Sequence, residues 1–386
     1  MKEPASIAEV IAAEGGEVTF ARFMELALTH PTLGYYSRAD RLLSHGGDFN
    51  TAPALSPFFC RTLARLVTEL VDAALALEAA PAAGASVVEL GGGEGQLAAA
   101  ILGLWEEERP EWRERVAYGI VEVGGGLCKR QAEAVAAFIA RGWRVEWGAT
   151  PEEACGGTRP VVMVGNEFID ALPVHLVRVA GGVVSEAYVR TALPGLEQTW
   201  GPLSSEAEAE LEILFGPLDL KQLEALTVDG IIEVRPGLGR LMCEVAGAMP
   251  SGSLVNVDYG EWVPGVPHCG ERWGLEGRAR RARTVRGYFK HQLVADPLAR
   301  PGRQDLTADV DFASLDLHGR REGFETVLFT TLAAFLHGGG AAAALEALRG
   351  GAEDSLEADR QATVLQNLLD ERDLGNAFKV MVQVRQ

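Results

Sequence analysis

A short run of strand-forming residues, Ser86 to Leu90, leads straight into Gly91-Gly92-Gly93-Glu94-Gly95, and a helical stretch from Gln96 to Glu107 follows. The glycines let the backbone turn sharply and let a ligand approach where a Cβ would clash. The helix that opens at the turn offers free amide donors to polar or anionic groups. A nicotinamide dinucleotide fingerprint would read G-x-G-x-x-G, but counted from Gly91 its last position is Gln96. The form present is Glu89-x-Gly91-x-Gly93-x-Gly95, which suits the adenosyl cofactor S-adenosyl-L-methionine.

Downstream the chain alternates strand and helix. Val116 to Val123 reads as a second strand, Gln131 to Arg141 as a helix, Trp143 to Trp147 as a third strand and Pro160 to Val164 as a fourth. Continuous apolar strands joined by helices indicate a parallel sheet covered on both faces. The expected class is therefore α/β with a Rossmann-like core. Leu254 to Asp258 resumes the pattern, and Phe378 to Val384 alternates like a closing antiparallel strand. An acid ending the second strand should accept hydrogen bonds from both ribose hydroxyls, and Glu122 stands there. It lies further from the loop than the roughly 20 residues of dinucleotide folds. A glycine-rich turn with an incidental acid is the plain alternative, and the two features together argue against it.

The flanking segments read as decoration. Ser6 to Glu9 forms a capping box, and Thr19 can cap a second helix bearing Phe20, Phe23, Met24 and Ala27 on one face. Ser56-Pro57 opens a longer helix that runs to about Ala79. Val174 to Val189 suggests a hairpin around Gly181-Gly182, and Ser204 to Leu226 an acidic, helix-rich insertion.

Net charge is -19, a field that repels phosphate backbones, so sequence-independent nucleic-acid binding is disfavoured. The five cysteines contain no C-x-x-C pair and the histidines no ligand spacing, so neither a disulfide framework nor a metal site is expected. The N-terminus lacks a signal layout and the apolar run Val327 to Leu336 is too short to span a bilayer, so a cytoplasmic chain is expected. Arg278 to Lys290, rich in arginine, reads as a solvated loop rather than a nucleic-acid footprint.

Ligands of open parallel sheets lie beyond the carboxyl ends of the strands. Gly165 to Pro173 follows the fourth strand there, and one helical turn would put Glu167 and Asp170 on one face. Carboxylates so placed could fix a guanidinium and take its proton; acids favoured at a helix start are the competing explanation. The Asn/Asp-Pro-Pro-aromatic loop of many base and amide N-methyltransferases is absent, which argues against a nucleobase or glutamine acceptor.

Several segments together are similar to the MidA-like family, that of mitochondrial complex I assembly factor 7. They are GYY at Gly34, GDFNTAP at Gly47, SPFF at Ser56, ELGGGEG at Glu89, NEFIDALPVH at Asn166, VDYG at Val257, DPLARPGRQDLTADVDF at Asp296 and AFKVMVQ at Ala377. The resemblance implies a class I methyltransferase that acts on a protein arginine, such as one in a respiratory complex I subunit. It implies that Glu89, Gly91, Gly93, Gly95 and Glu122 hold the cofactor while Gly47, Asp48, Thr51 and Pro53 close over it. Asn166, Glu167 and Asp170 would face the acceptor. The implied layout is a helical, cofactor-covering region over 1–84 and a core over 85–386, with insertions at about 174–250 and 261–311. Two departures stand out. Gly124-Gly125-Gly126 replaces a Ser-Pro pair and should loosen the turn beside the cofactor, and Gly148-Ala149 follows Trp147 where bulkier or polar residues are common. A non-catalytic assembly chaperone that keeps the fold, and a dinucleotide oxidoreductase, are the rival functions.

Overall fold

The computed structural model describes residues 4–38, 56–77, 84–192, 195–217, 220–227, 229–263, 282–290, 292–350 and 356–386. The chain divides into two compact units, one of residues 1–48, 169–241 and 261–318 and the other of 49–168, 242–260 and 319–386.

The second unit is built on seven strands: β1 (Ala85–Leu90), β2 (Val116–Val121), β3 (Val145–Gly148), β4 (Arg159–Asn166), β5 (Gly252–Glu261), β6 (Glu325–Thr331) and β7 (Phe378–Arg385). Their hydrogen-bonded order is β3-β2-β1-β4-β5-β7-β6. The first five are parallel, and β7 runs antiparallel between β5 and β6. That is the doubly wound Rossmann order with an extra strand inserted, and the strand order, not the strand direction, reverses between β1 and β4, where such sheets hold ligands. The expected α/β class I methyltransferase core is present. β1 and β2 are buried at every position, as strands covered on both faces must be.

Helices α1 (Pro57–Leu77), α2 (Gln96–Glu108) and α3 (Gly125–Ala140) belong to this unit. Ser56 caps α1 by accepting the Phe59 amide at 3.3 Å, and Pro57 stands at the first helical position, where a missing N–H costs nothing. Leu63, Val67, Val87, Trp105, Tyr118, Val164 and Val257 meet in one buried core. Each such side chain contributes about 1.5–3 kcal/mol by leaving water. Trp105 satisfies its one polar atom by donating to Thr68 Oγ1 at 3.1 Å. The apolar run Val327 to Leu336 splits into β6 and a helix, Leu332–Gly338, capped by Thr331. Among the described residues no helix is long and apolar enough to cross a membrane.

The first unit has its own antiparallel sheet. Val183–Ala192 pairs with Glu17–Thr19, His175–Ala180 and Gly195–Gly201, and His175–Ala180 pairs in turn with Ile231–Val234. The expected hairpin is there, with Ala180 opposite Val183 across Gly181-Gly182. Both of those glycines have positive φ, which the two-residue turn requires. Helices Ile7–Ala13 and Phe20–Thr29 start at Ser6 and Thr19, whose hydroxyls accept the Glu9 and Arg22 amides. Helix Ser205–Phe215 is held by a buried pair, His318 Nε2 to Glu210 at 2.8 Å, and its cap Ser204 donates its amide to Glu186, which is itself paired with His175 Nδ1 at 2.6 Å. The N-terminal helices and most of both insertions thus share one unit, whereas α1 packs its apolar face into the core of the other.

Candidate cofactor and acceptor site

Gly91, Gly93 and Gly95 all have positive φ, at 71°, 50° and 88°. Their surroundings differ. A Cβ on Gly91 would come within 2.8 Å of the Phe168 ring, and one on Gly95 within 3.0 Å of Ala134 Cβ. A Cβ on Gly93 would meet nothing within 4 Å. Two glycines therefore let the loop pack on its own protein, and the third presents open backbone. Gly95 also caps α2 with no side-chain hydrogen bond, so the amides of the first turn have no side-chain acceptor from their cap.

Glu89 turns inward rather than toward the loop. Its Oε2 accepts the Tyr118 phenol at 2.8 Å, and the residue is buried. Burial raises its pKa to about 7, against which the Tyr118 hydrogen bond acts.

Glu122 sits half-buried just past β2. Its Oε1 accepts the Gly124 amide at 2.7 Å and its Oε2 accepts Gln131 Nε2 at 3.0 Å. Burial raises the Glu122 pKa, and both hydrogen bonds pull it back. The glycines after it do not loosen the turn, contrary to expectation. Gly124 is tied to the Glu122 carboxylate, and Gly125 and Gly126 begin α3. The glycine after Trp147 has a steric cause: a Cβ on Gly148 would lie 2.4 Å from the Ala154 amide nitrogen.

Gln131 is a residue of this loop region that no motif in the sequence marks. It is fully buried, donates to Gly93 O at 3.0 Å as well as to Glu122, and accepts the Trp147 indole at 3.0 Å. Only the register of three chain segments could have revealed it.

After β4 the structure corrects a second expectation. Residues 167–173 form bends and turns, not a helix. Glu167 takes a left-handed backbone, φ 49°, while its amide donates to Val257 O at 2.8 Å. It and Lys290 are the non-glycine residues with positive φ among the described residues. A helix-start acid cluster therefore no longer accounts for these carboxylates. Asn166 Nδ2 lies 3.5 Å from Glu167 Oε1, and Asn166 Oδ1 is buried without a hydrogen-bond partner among the described residues. Asp170, in the first unit, is buried and accepts the Thr307 hydroxyl at 2.7 Å. Its carbonyl accepts the Ala308 amide at 3.2 Å, and Arg235 donates to the carbonyls of Leu172 and Ala308. Gly47, Asp48, Thr51 and Pro53 lie outside the described residues, as do Arg278 to Arg281. Of the arginine run, Arg286 pairs with Asp309 at 2.7 Å.

These groups fit an S-adenosyl cofactor. The glycine loop is a cradle that a Cβ at Gly91 or Gly95 would disrupt, and a carboxylate with spare lone pairs ends the second strand.

Residues 63–330 match the family described as "Putative S-adenosyl-L-methionine-dependent methyltransferase". A Drosophila melanogaster protein named protein arginine methyltransferase NDUFAF7 homolog, mitochondrial, is 28% identical over 77% of this chain and 65% of its own length. The NDUFAF7 protein of Danio rerio is 28% identical over 78% of this chain and 68% of its own. The chain thus spans about two thirds of the length of these relatives. A Burkholderia thailandensis protein solved bound to S-adenosyl-homocysteine superposes with a TM-score of 0.74 at 29% identity, covering 98% of this chain and 90% of that one. The same glycine loop, strand order and acidic residue are thus found in a chain that belongs to this family of S-adenosyl-L-methionine-dependent methyltransferases.

Proposed function

We propose that the chain methylates an arginine side chain on a protein. The observation that carries the acceptor half of this reading is Glu167, held in a left-handed backbone at the carboxyl end of β4. Such a conformation costs about 1–2 kcal/mol for a residue with a Cβ, and strain of this kind clusters at functional sites. The relatives named protein arginine methyltransferases supply the substrate class.

In this reading Gly91, Gly93 and Gly95 shape the loop around the cofactor, Glu122 accepts its ribose hydroxyls and Glu89 braces β1 from inside. Gly47, Asp48, Thr51 and Pro53 are proposed to close over it. The bound cofactor supplies an electrophilic methyl group on a sulfonium. Glu167 and Asn166 orient the acceptor. Arginine is protonated at neutral pH, so a carboxylate that accepts two of its N–H groups fixes the plane of the guanidinium and aims one nitrogen. As the new N–CH3 bond forms, the methyl–sulfur bond would break and its electron pair leave on the thioether of S-adenosylhomocysteine; the acceptor nitrogen must then lose a proton, and Glu167 takes it or passes it to water. Asp170, tied to Thr307 within its own unit, is proposed as a carboxylate that acts on the acceptor. A net charge of -19 favours basic protein segments over nucleic acid.

A respiratory complex I subunit, which the MidA-like resemblance implies, is the first protein to try. A cytoplasmic location is proposed from the sequence alone; the relatives compared are named mitochondrial. The test is transfer of labelled methyl to host proteins with Glu167→Gln beside the wild type. The reading fails if the two transfer equally, or if label enters no arginine.

A further inference from the structure

We propose that Gln131 is a positioning residue for cofactor recognition: its buried amide locks the glycine loop, Glu122 and Trp147 into one frame that presents the Glu122 carboxylate to the ribose. The inference rests on the reading of Glu122 as the ribose acceptor.

Gln131 lies in α3 with no exposed surface. Its Nε2 donates to Gly93 O and to Glu122 Oε2, both at 3.0 Å, and its Oε1 accepts Trp147 Nε1 at 3.0 Å. The three partners come from the turn after β1, the end of β2 and β3. The amide can be oriented only one way. Flipping it would set N–H against the indole N–H and oxygen against a carbonyl and a carboxylate. The side chain therefore reads as a bracket at the place where three strand ends converge.

The consequence falls on Glu122. A carboxylate has about four lone-pair directions. Gly124 uses one on Oε1 and Gln131 one on Oε2, and the Val123 amide also favours the ionised carboxyl; open acceptor directions remain for the ribose hydroxyls. The backbone donor is built into the turn, whereas the Gln131 donor can be deleted. Without it, Glu122 loses the partner that fixes one oxygen and opposes the effect of burial on its ionisation. The other titratable groups facing this region are Glu89 on β1, Cys128 on α3 and the Glu94–Arg130 ion pair. None of them replaces that donor.

The test titrates the purified full chain with S-adenosylhomocysteine and with its 2′,3′-dideoxy analogue. Gln131→Met keeps the bulk and removes all three hydrogen bonds. It is expected to weaken S-adenosylhomocysteine binding about tenfold, the scale of one charge-assisted hydrogen bond, and analogue binding less than about twofold. In the ligand-free protein the Trp147 indole N–H resonance should move. Equal loss for both probes, or no loss, overturns the inference. Glu122→Ala separates it from the reading beneath: if that variant weakens both probes equally, Glu122 is not the ribose acceptor. If Glu122→Ala is selective and Gln131→Met is not, only the Gln131 role falls. Should Gln131→Met fail to fold, Gln131→Glu keeps the acceptor for Trp147 and replaces the donor by a charge. It should lose S-adenosylhomocysteine selectively at neutral pH and recover as pH falls and the new carboxyl becomes a donor. Unselective loss at every pH would overturn the proposal.

Discussion

Alanine at Gly95 and alanine at Gly93 should separate folding from ligand binding within one loop. Both residues have positive φ, so either alanine costs roughly 1–2 kcal/mol of backbone strain. At Gly95 the new methyl would also sit 3.0 Å from Ala134 Cβ and 3.1 Å from Gln131 Cα. Overpacking of that kind typically adds about 1–3 kcal/mol, because α3 must give way. Gly95→Ala should therefore lose about 2–5 kcal/mol of stability. Gly93→Ala meets nothing within 4 Å and should lose only the strain. At about 2–4 °C per kcal/mol for a unit of this size, the two melting temperatures should differ measurably. Calorimetric titration with S-adenosylhomocysteine should give the opposite ranking, relative to what each fold has lost, if the open backbone at Gly93 is where the proposed cofactor site meets its ligand. Equal melting temperatures, or full affinity in Gly93→Ala, would refute this division of the loop.

Glu122→Ala should weaken S-adenosylhomocysteine binding by about 1.5–3 kcal/mol, the scale of a hydrogen bond to a charged group, as read by calorimetry. Because burial raises the Glu122 pKa, wild-type affinity should fall as the solution is acidified through that raised value, and Glu122→Ala should flatten the profile. Glu89 has a pKa near 7 in the folded chain against 4.5 unperturbed, so the folded state holds the proton more tightly. Its contribution to stability is fully present below about pH 4.5 and is lost as pH rises through about 7. Glu89→Gln keeps an acceptor for Tyr118; denaturant titration should show it gaining on the wild type across that window, by up to about 3 kcal/mol. Glu167→Gln and Asp170→Asn should leave cofactor affinity nearly unchanged while abolishing transfer; unaltered turnover would remove both from the site.

How much could be read from the sequence depended on whether a feature was local. The turn Glu89 to Gly95, the caps at Ser6, Thr19 and Ser56 and the Gly181-Gly182 hairpin depend on neighbouring residues, and each lies where its residues imply. Residues 167–173 misled because an i, i+3 pair of acids does not specify the backbone between them. The left-handed Glu167 ends any helix before it starts, and Asp170 is bonded to Thr307, distant in sequence. Gln131 was invisible for the same reason, since its partners Gly93, Glu122 and Trp147 converge only after the sheet forms. Compact units assembled from discontinuous segments likewise follow contacts that no stretch of sequence carries.

The central claim is tested most directly by incubating the purified chain with methyl-labelled S-adenosyl-L-methionine and host proteins, then mapping label by intact mass and peptide analysis. The account predicts label on arginine of one or a few proteins, lost with Glu167→Gln. Label confined to RNA or metabolites, or no transfer by a chain that binds S-adenosylhomocysteine, would contradict it.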